Sequence, residues 1–338
     1  MRPVSDLRVY DSLCEAVGRT PMVRLRGSLG FRPAGADDDR RPAVWAKLEM
    51  LEPMGSVKDR IACHLVDQAL AEGRLKPGDT VLEASSGNTA MGLAMMAILR
   101  GLRCRMVVRR QASREKLDAL RALGVELVLV DGELPPEHPE SYNRKARALA
   151  EEDPGLFFPD QHNNRANNDA HYCTTGPEIW RQMEGRVDVF VAGIGTGGTI
   201  SGVARFLKEK DPKVRVVAVD VEGSVFTGYF RTGETPPPGR YRVEGLGDEE
   251  IIGCPEFELF DEMIQVSDRD AFLAARELAR TEAIFAGGSS GAILCGVRRA
   301  IEGLPAGARV ATLFPDSGNR YLSTIYNDDW MRANGYLE

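Results

Sequence analysis

Lys58 lies in S-V-K-D-R, Ser56 to Arg60, at the start of a stretch with helical periodicity. Val57, Ile61, Leu65, Val66 and Ala69 recur on one helical face, and Gly73 supplies a C-terminal stop. Ser56 is placed to cap this helix, with Asp59 three residues on at capping-box spacing. An amine in the first turn points toward the positive end of the helix, where the dipole disfavours its charge. Partial desolvation would lower its pKa further and leave a nucleophile suited to a Schiff base. Most lysines at helix starts are solvated surface charges. Lys58 therefore takes its meaning from the loops further along the chain.

The strongest of these is G-I-G-T-G-G-T, Gly193 to Thr199, which follows the apolar run Val187 to Ala192 and opens a helix. Glycines let backbone N–H groups crowd an anion, and the helix start adds a favourable partial charge. Thr196 and Thr199 add hydroxyl donors, so the segment reads as a phosphate cup. Gly193, Gly195 and Gly198 also satisfy a dinucleotide fingerprint, with Asp220 ending the next strand where a ribose-binding acid would stand. A nicotinamide-binding dehydrogenase is thus a second reading. Against it stands S-S-G-N-T, Ser85 to Thr89, a further strand-to-helix junction suited to a second anion such as a substrate carboxylate. Plain N-capping accounts for that loop nearly as well. Two more loops, G-G-S-S-G (Gly287 to Gly291) and P-D-S-G-N-R-Y (Pro315 to Tyr321), read singly as ordinary turns.

These loops need a frame. Strands at Thr80 to Glu83, Arg103 to Val108, Val125 to Val130, Val187 to Ala192, Val214 to Asp220 and Ala308 to Phe314 alternate with helices. The helices are expected at Thr89 to Arg100, Ser113 to Leu123, Thr174 to Met183, Thr199 to Lys208, Asp268 to Thr281 and Gly291 to Gly303. Such repeats predict α/β architecture, with parallel sheets covered by helices on both faces and ligands at the strands' carboxyl ends. Gly132 to Tyr142 and Asn163 to Asn168 read as connections between two domains, while Phe31 to Pro42 and Thr232 to Arg240 read as surface loops. A chain of 338 residues fits two domains with a cleft between them.

The formal net charge of −7 and the lack of a basic stripe argue against a nucleic-acid partner. No apolar run reaches membrane-span length, and Met1 to Leu13 lacks the apolar core of a signal peptide. Six scattered cysteines without a C-x-x-C pair fit a reducing cytoplasm. Four histidines without zinc-ligand spacing predict no metal site.

The order of K-L-E-M-L-E-P-M-G-S-V-K-D-R, S-S-G-N-T, G-I-G-T-G-G-T, G-G-S-S-G and P-D-S-G-N-R-Y-L-S-T resembles the cysteine synthase/cystathionine β-synthase family. With the opening D-S-L-C-E-A-V-G-R-T-P-M-V-R-L, the resemblance runs from about Tyr10 to Met331. It implies a pyridoxal-phosphate enzyme of fold type II, similar to tryptophan synthase β: two three-layer αβα domains with the cofactor between them. Residues 45–160 would form the smaller domain, and 1–44 plus 161–338 the larger.

The resemblance also implies roles. Lys58 would hold pyridoxal phosphate as an internal aldimine and move the α-proton. Asn88 would bond the cofactor's 3′-hydroxyl, and Gly195, Thr196, Gly197, Gly198 and Thr199 its phosphate. Ser317 would face the pyridine nitrogen, and this neutral partner suits β-elimination better than transamination. Ser85, Ser86, Gly87, Thr89, Gln161 and Gly245 would bind substrate. An activated L-serine (O-acetylserine, O-phosphoserine or serine) would lose its β-substituent to give an aminoacrylate. A nucleophile, sulfide or homocysteine by preference, would then add.

The small amino-acid donor and small acceptor would be the only partners apart from a second copy in a homodimer. A phosphorylated donor would need a cation over the cleft, for which Arg109, Arg110, Arg165 and Arg240 are available. An amine acceptor such as glutamate, as in diaminopropionate-type biosynthesis, is the alternative.

D-Q-x₂-N-x₂-N-x₂-A-H-Y-x-T-T-G, Y-F-R-T-G-E and V-E-G-L-G are most similar to bacterial cystathionine β-synthase catalytic domains. Ending at Glu338 and with nothing haem-binding before Asp11, the chain is expected to lack the regulatory module and haem of longer relatives. Ser85 and Ala90 depart from the threonine and glycine usual in the family, and Ala90 is expected to reshape the acceptor pocket.

Overall fold

The computed structural model describes residues 8–30, 41–132, 134–135 and 138–338. The expected loop over Phe31 to Pro42 falls almost wholly outside the described residues, as does part of Gly132 to Tyr142. Among the described residues two sheets form. The larger runs β1 (Met22–Arg24), β2 (Ala43–Leu48), β10 (Arg309–Phe314), β7 (Val189–Gly193), β8 (Arg215–Val221) and β9 (Glu262–Val266). It is parallel except for β1, which pairs antiparallel with β2 at the edge. The smaller runs β5 (Glu126–Val130), β4 (Arg103–Arg109), β3 (Thr80–Ala84) and β6 (Leu156–Phe157), all parallel.

Both sheets are covered on both faces, which is why their strands read as continuous apolar runs. Side chains alternate across a strand, so Val189, Val191, Val217 and Val219 pack with α9 (Asp268–Thr281) and α10 (Gly288–Ala300). Their neighbours Phe190, Ala192, Val216 and Ala218 pack instead with α6 (Thr175–Gln182) and α7 (Gly198–Lys210). In the smaller sheet Val81, Cys104, Met106 and Val108 face α1 (Lys58–Ala71), α2 (Asn88–Arg100) and α3 (Arg114–Ala122). Leu82, Ala84 and Val107 face α4 (Tyr142–Glu152). The architecture is α/β, two three-layer units, as expected.

Several elements differ from the sequence expectations. The helix expected over Thr174 to Met183 is two: α5 (Ala166–Cys173) and α6 meet at Thr174, which leaves helical geometry at φ −123° and donates its hydroxyl to Ala170 O. Asn167 and Asn168 lie inside α5 rather than in a connection, and Asn168 Nδ2 donates to Cys254 O at 2.8 Å and to Glu256 Oε1 at 2.7 Å. Tyr142 opens a helix, and α10 starts three residues before Gly291. A domain boundary at residue 45 passes through β2, which belongs to the larger sheet, whereas every strand of the smaller sheet lies within 80–157.

Candidate active site

Lys58 is the first residue of α1, and the chain before it is tied to the end of β10. Val57 N–H donates to Pro315 O at 2.9 Å, and Ser56 forms a bridge with Asp316. The expected capping box is replaced by a different arrangement. Ser56 Oγ accepts the Lys58 N–H at 3.3 Å, but the Asp59 carboxylate turns back to the Met54 N–H at 2.6 Å. Burial pushes the Lys58 amine down to about 8, against the opposing pull of Asp316 and Cys254. A neutral amine is therefore accessible near neutral pH, as Schiff-base chemistry needs.

Beside Lys58, the Arg60 side chain is buried among carboxylates: Glu49 at 2.7 Å, Glu178 at 2.9 Å and Glu52 at 3.0 Å. Lys47 adds a 2.7 Å pair with Glu178. Burial and the nearby Glu49 push Glu52 up to about 8, while Arg60 and Lys47 overcome burial at Glu178 and draw it down to about 2. This network pins α1 to β2 and α6, and so fixes the Lys58 end of the helix against the larger sheet.

The Gly193 to Thr199 loop lies at the carboxyl end of β7, with α7 starting at Gly198, a shape suited to an anion. Only glycine suits it. A Cβ on Gly195 would lie 2.2 Å from Gly245 O, one on Gly197 2.5 Å from Pro255, and one on Gly198 1.9 Å from Asn167 Oδ1. Gly197 also holds φ +82°. The first N–H groups of α7 have no partner within the helix and face this loop. Asn167 Nδ2 bonds Thr196 Oγ1 at 3.1 Å and Gln161 O at 2.8 Å, and His171 Nε2 meets Thr199 Oγ1 at 3.1 Å. Burial and neighbouring cations hold His171 well below its usual pKa, so it is a neutral partner. Buried Asn167 Oδ1 has no hydrogen-bond partner.

The Ser85 to Thr89 loop stands opposite, at the carboxyl end of β3. Ser85 Oγ accepts N–H groups of Gly87 at 3.4 Å and Ala90 at 3.2 Å, so it does cap α2. Thr89 Oγ1 donates to Gln161 Oε1 at 2.6 Å. A chain of bonds therefore runs from Thr89 through Gln161 and Asn167 to Thr196, joining both loops. Asn88 Nδ2 donates to Asp316 Oδ2 at 2.8 Å, and Tyr321 O–H to the same oxygen at 2.7 Å. Ser317 Oγ accepts the Asn319 N–H at 3.3 Å, and the Ser317 backbone forms an isolated β-bridge with Ala286.

Two expectations change. Ala90 is fully buried in the apolar core of the smaller unit, so its methyl fills core space rather than shaping an acceptor pocket. Asp220 is fully buried, with one oxygen bonded to the Thr227 N–H at 3.0 Å and hydroxyl at 2.7 Å, so neither oxygen is open to a ribose. Asp316, Asn167, His171 and Cys254 were not singled out from sequence. Asp316 lies within P-D-S-G, and Asn167 and His171 lie within D-Q-x₂-N-x₂-N-x₂-A-H-Y, whereas Cys254 lies in no motif.

The cup, a depressed lysine and two polar loops fit pyridoxal phosphate. A phosphate can sit on N–H and hydroxyl donors where Cβ atoms are barred. Among the described residues no helix is long and apolar enough to cross a membrane.

The pattern of the family described as "Pyridoxal-phosphate dependent enzyme" matches residues 13–316. A cystathionine beta-synthase of Apis mellifera is 37% identical over 98% of this chain and 64% of its own length. The chain thus spans under two thirds of that relative, and 59% of the Oryctolagus cuniculus one. A cysteine synthase of Staphylococcus aureus is 40% identical over 94% of this chain and 98% of its own. The solved structure of an O-acetylserine dependent cystathionine beta-synthase from Helicobacter pylori aligns with TM-score 0.83 and 35% identity, covering 95% of this chain and 100% of that one.

Proposed function

This chain belongs to the family of pyridoxal-phosphate-dependent enzymes, fold type II, and from that premise we propose that it performs β-replacement on an activated L-serine. The observation that carries the proposal is Lys58: a pKa of about 8 from burial, on a segment tied to Pro315 and to Asp316, which also holds Asn88 of the second loop. When bound, pyridoxal phosphate supplies an electron sink for the Cα–H bond and so eases departure of the group on Cβ.

The protein's own residues do the rest. Gly195 to Thr199 hold the phosphate through N–H groups and two hydroxyls, and Asn167 and His171 fix the orientation of those hydroxyls. Lys58 Nζ takes the α-proton, and its depressed pKa keeps a fraction of the amine neutral at pH 7. Ser317 would offer the ring nitrogen a hydroxyl rather than a carboxylate. Asn88 orients the ring's oxygen substituent, its own amide held by Asp316. Ser85, Ser86, Gly87, Thr89 and Gln161 receive the amino acid's carboxylate at the start of α2, where the helix dipole favours an anion. Gly245, packed on Gly195, closes the cup and would contact the substrate there.

The acceptor in this reading is a thiol, sulfide or homocysteine. A cytoplasmic homodimer completes it, checked by fractionation and by light scattering. The deciding experiment is a donor-by-acceptor matrix read by mass spectrometry of the product. O-acetyl-L-serine, O-phospho-L-serine and L-serine are crossed with sulfide, homocysteine and glutamate. Cysteine or cystathionine is expected. Turnover of glutamate alone would replace the thiol reading, and no turnover at all would sink β-replacement.

A further inference from the structure

Arg109 ends β4 beside the substrate loop, and the geometry points to it as a specificity-determining residue. Strands β3 and β4 run in register, with Ser85 N–H donating to Val107 O at 3.1 Å, so the last residue of β4 overhangs that loop. Its guanidinium lies 5.0 Å from the ring centre of Tyr142, the first residue of α4. Tyr142 is hydrogen-bonded to the Ser85 side chain and the Ser86 backbone. One aromatic ring therefore separates the cation from the loop expected to take the substrate carboxylate. Tyr241, in the segment leading to Gly245, is pushed up by burial and nearby acids, with the Arg109 charge opposing them.

Arg109 is exposed and makes no ion pair among the described residues. Its neighbours at the mouth are matched. Lys116 of α3 pairs with Glu244, Arg144 of α4 lies 3.9 Å from Glu250, and His162 lies 3.3 Å from Asp248. A guanidinium stacked on a ring keeps its edge N–H groups free for bidentate binding of an oxyanion. With the substrate carboxylate held at Ser85 to Thr89, such an oxyanion would be carried beyond Cβ.

We infer that Arg109 receives an anionic group on the Cβ side of the substrates. It would be either the phosphoryl group of a donor or the carboxylate of an acceptor. This rests on the β-replacement reading and goes beyond it by naming the substrate charge that the site selects.

The test compares kcat/KM ratios for the enzyme, Arg109→Gln and Arg109→Lys in two arms. The donor arm sets O-phospho-L-serine against O-acetyl-L-serine with sulfide. The acceptor arm sets homocysteine against sulfide with O-acetyl-L-serine. Arg109→Gln is expected to lower the charged-to-neutral ratio about tenfold in one arm, the effect of one partly exposed charge pair. The change should fall on KM more than kcat, and Arg109→Lys should restore most of it. The responding arm identifies the anion. Ratios unchanged in both arms, or an equal loss with all four combinations, would overturn the inference while leaving β-replacement standing. An unaltered enzyme inactive with every combination would instead overturn β-replacement, and this inference with it.

Discussion

Gly195 and Gly245 touch backbone to backbone: a Cβ placed on Gly195 would stand 2.2 Å from the Gly245 carbonyl oxygen. Gly245 itself holds φ +81°, a left-handed conformation that favours glycine. The glycine loop proposed to hold the phosphate therefore depends on a loop about fifty residues further along the chain, through a contact that tolerates no side chain.

Gly195→Ala should for this reason loosen the cup. Overpacking against backbone costs about 1–3 kcal/mol, which corresponds to roughly 5- to 150-fold in cofactor affinity if the strain falls on the bound state. Titration of the apoenzyme with pyridoxal phosphate, followed by absorbance, measures this. Unchanged affinity would mean the cup does not hold the phosphate.

Lys58→Ala should abolish turnover while leaving the fold and a non-covalent cofactor in place, since the cup anchors the phosphate independently. Loss of a catalytic base typically costs about 10²–10⁴ in rate, and the loss of covalent attachment adds to that. Borohydride treatment followed by peptide mass spectrometry should place the reduced cofactor on Lys58 in the unaltered protein and nowhere in the variant.

The pH dependence follows from the same amine. Its pKa is lowered to about 8, so covalent capture of cofactor by the apoenzyme should rise with pH and level off above that value. Folding carries the reverse cost. The penalty for burying the charged amine is full below about 8 and vanishes above the ordinary value of 10.5, so Lys58 makes the apoenzyme more stable as pH rises between them. Stopped-flow absorbance across pH 6 to 10 reads the capture rate.

Asp316→Asn should shift that capture profile toward lower pH. The Asp316 carboxylate raises the Lys58 pKa, so removing its charge lets burial act with less opposition. An unmoved midpoint would show that Asp316 acts only as the anchor for Asn88 and Tyr321.

Arg60→Ala should destabilise the fold by about 3–5 kcal/mol, because it strands buried carboxylates that it now neutralises. Urea denaturation of the apoenzyme measures the loss. A change below about 1 kcal/mol would mean the network is replaceable by solvent.

Local features were legible where a short stretch of chain determines them. The alternating βα pattern, the glycine loop after Val187 to Ala192, the start of α1 at Lys58 and the stop at Gly101 all follow from periodicity and from glycine's access to left-handed backbone. Motif order carried the family and cofactor. Elements without such a local signal were missed: β9, α4, and the break between α5 and α6 at Thr174.

What only the tertiary structure decided were pairings between distant residues. Asp220 stands at the spacing of a ribose ligand, yet it is fully buried with one oxygen bonded to Thr227. Ala90 stands beside the substrate loop, yet its methyl points into the core. Asp316 meets Asn88 across 228 residues, and Asn167 links Gln161 to the cup. Spacing along a strand or helix sets which face a side chain occupies. The partner that face meets depends on how two separately built sheets close around a cleft, and no local pattern encodes that.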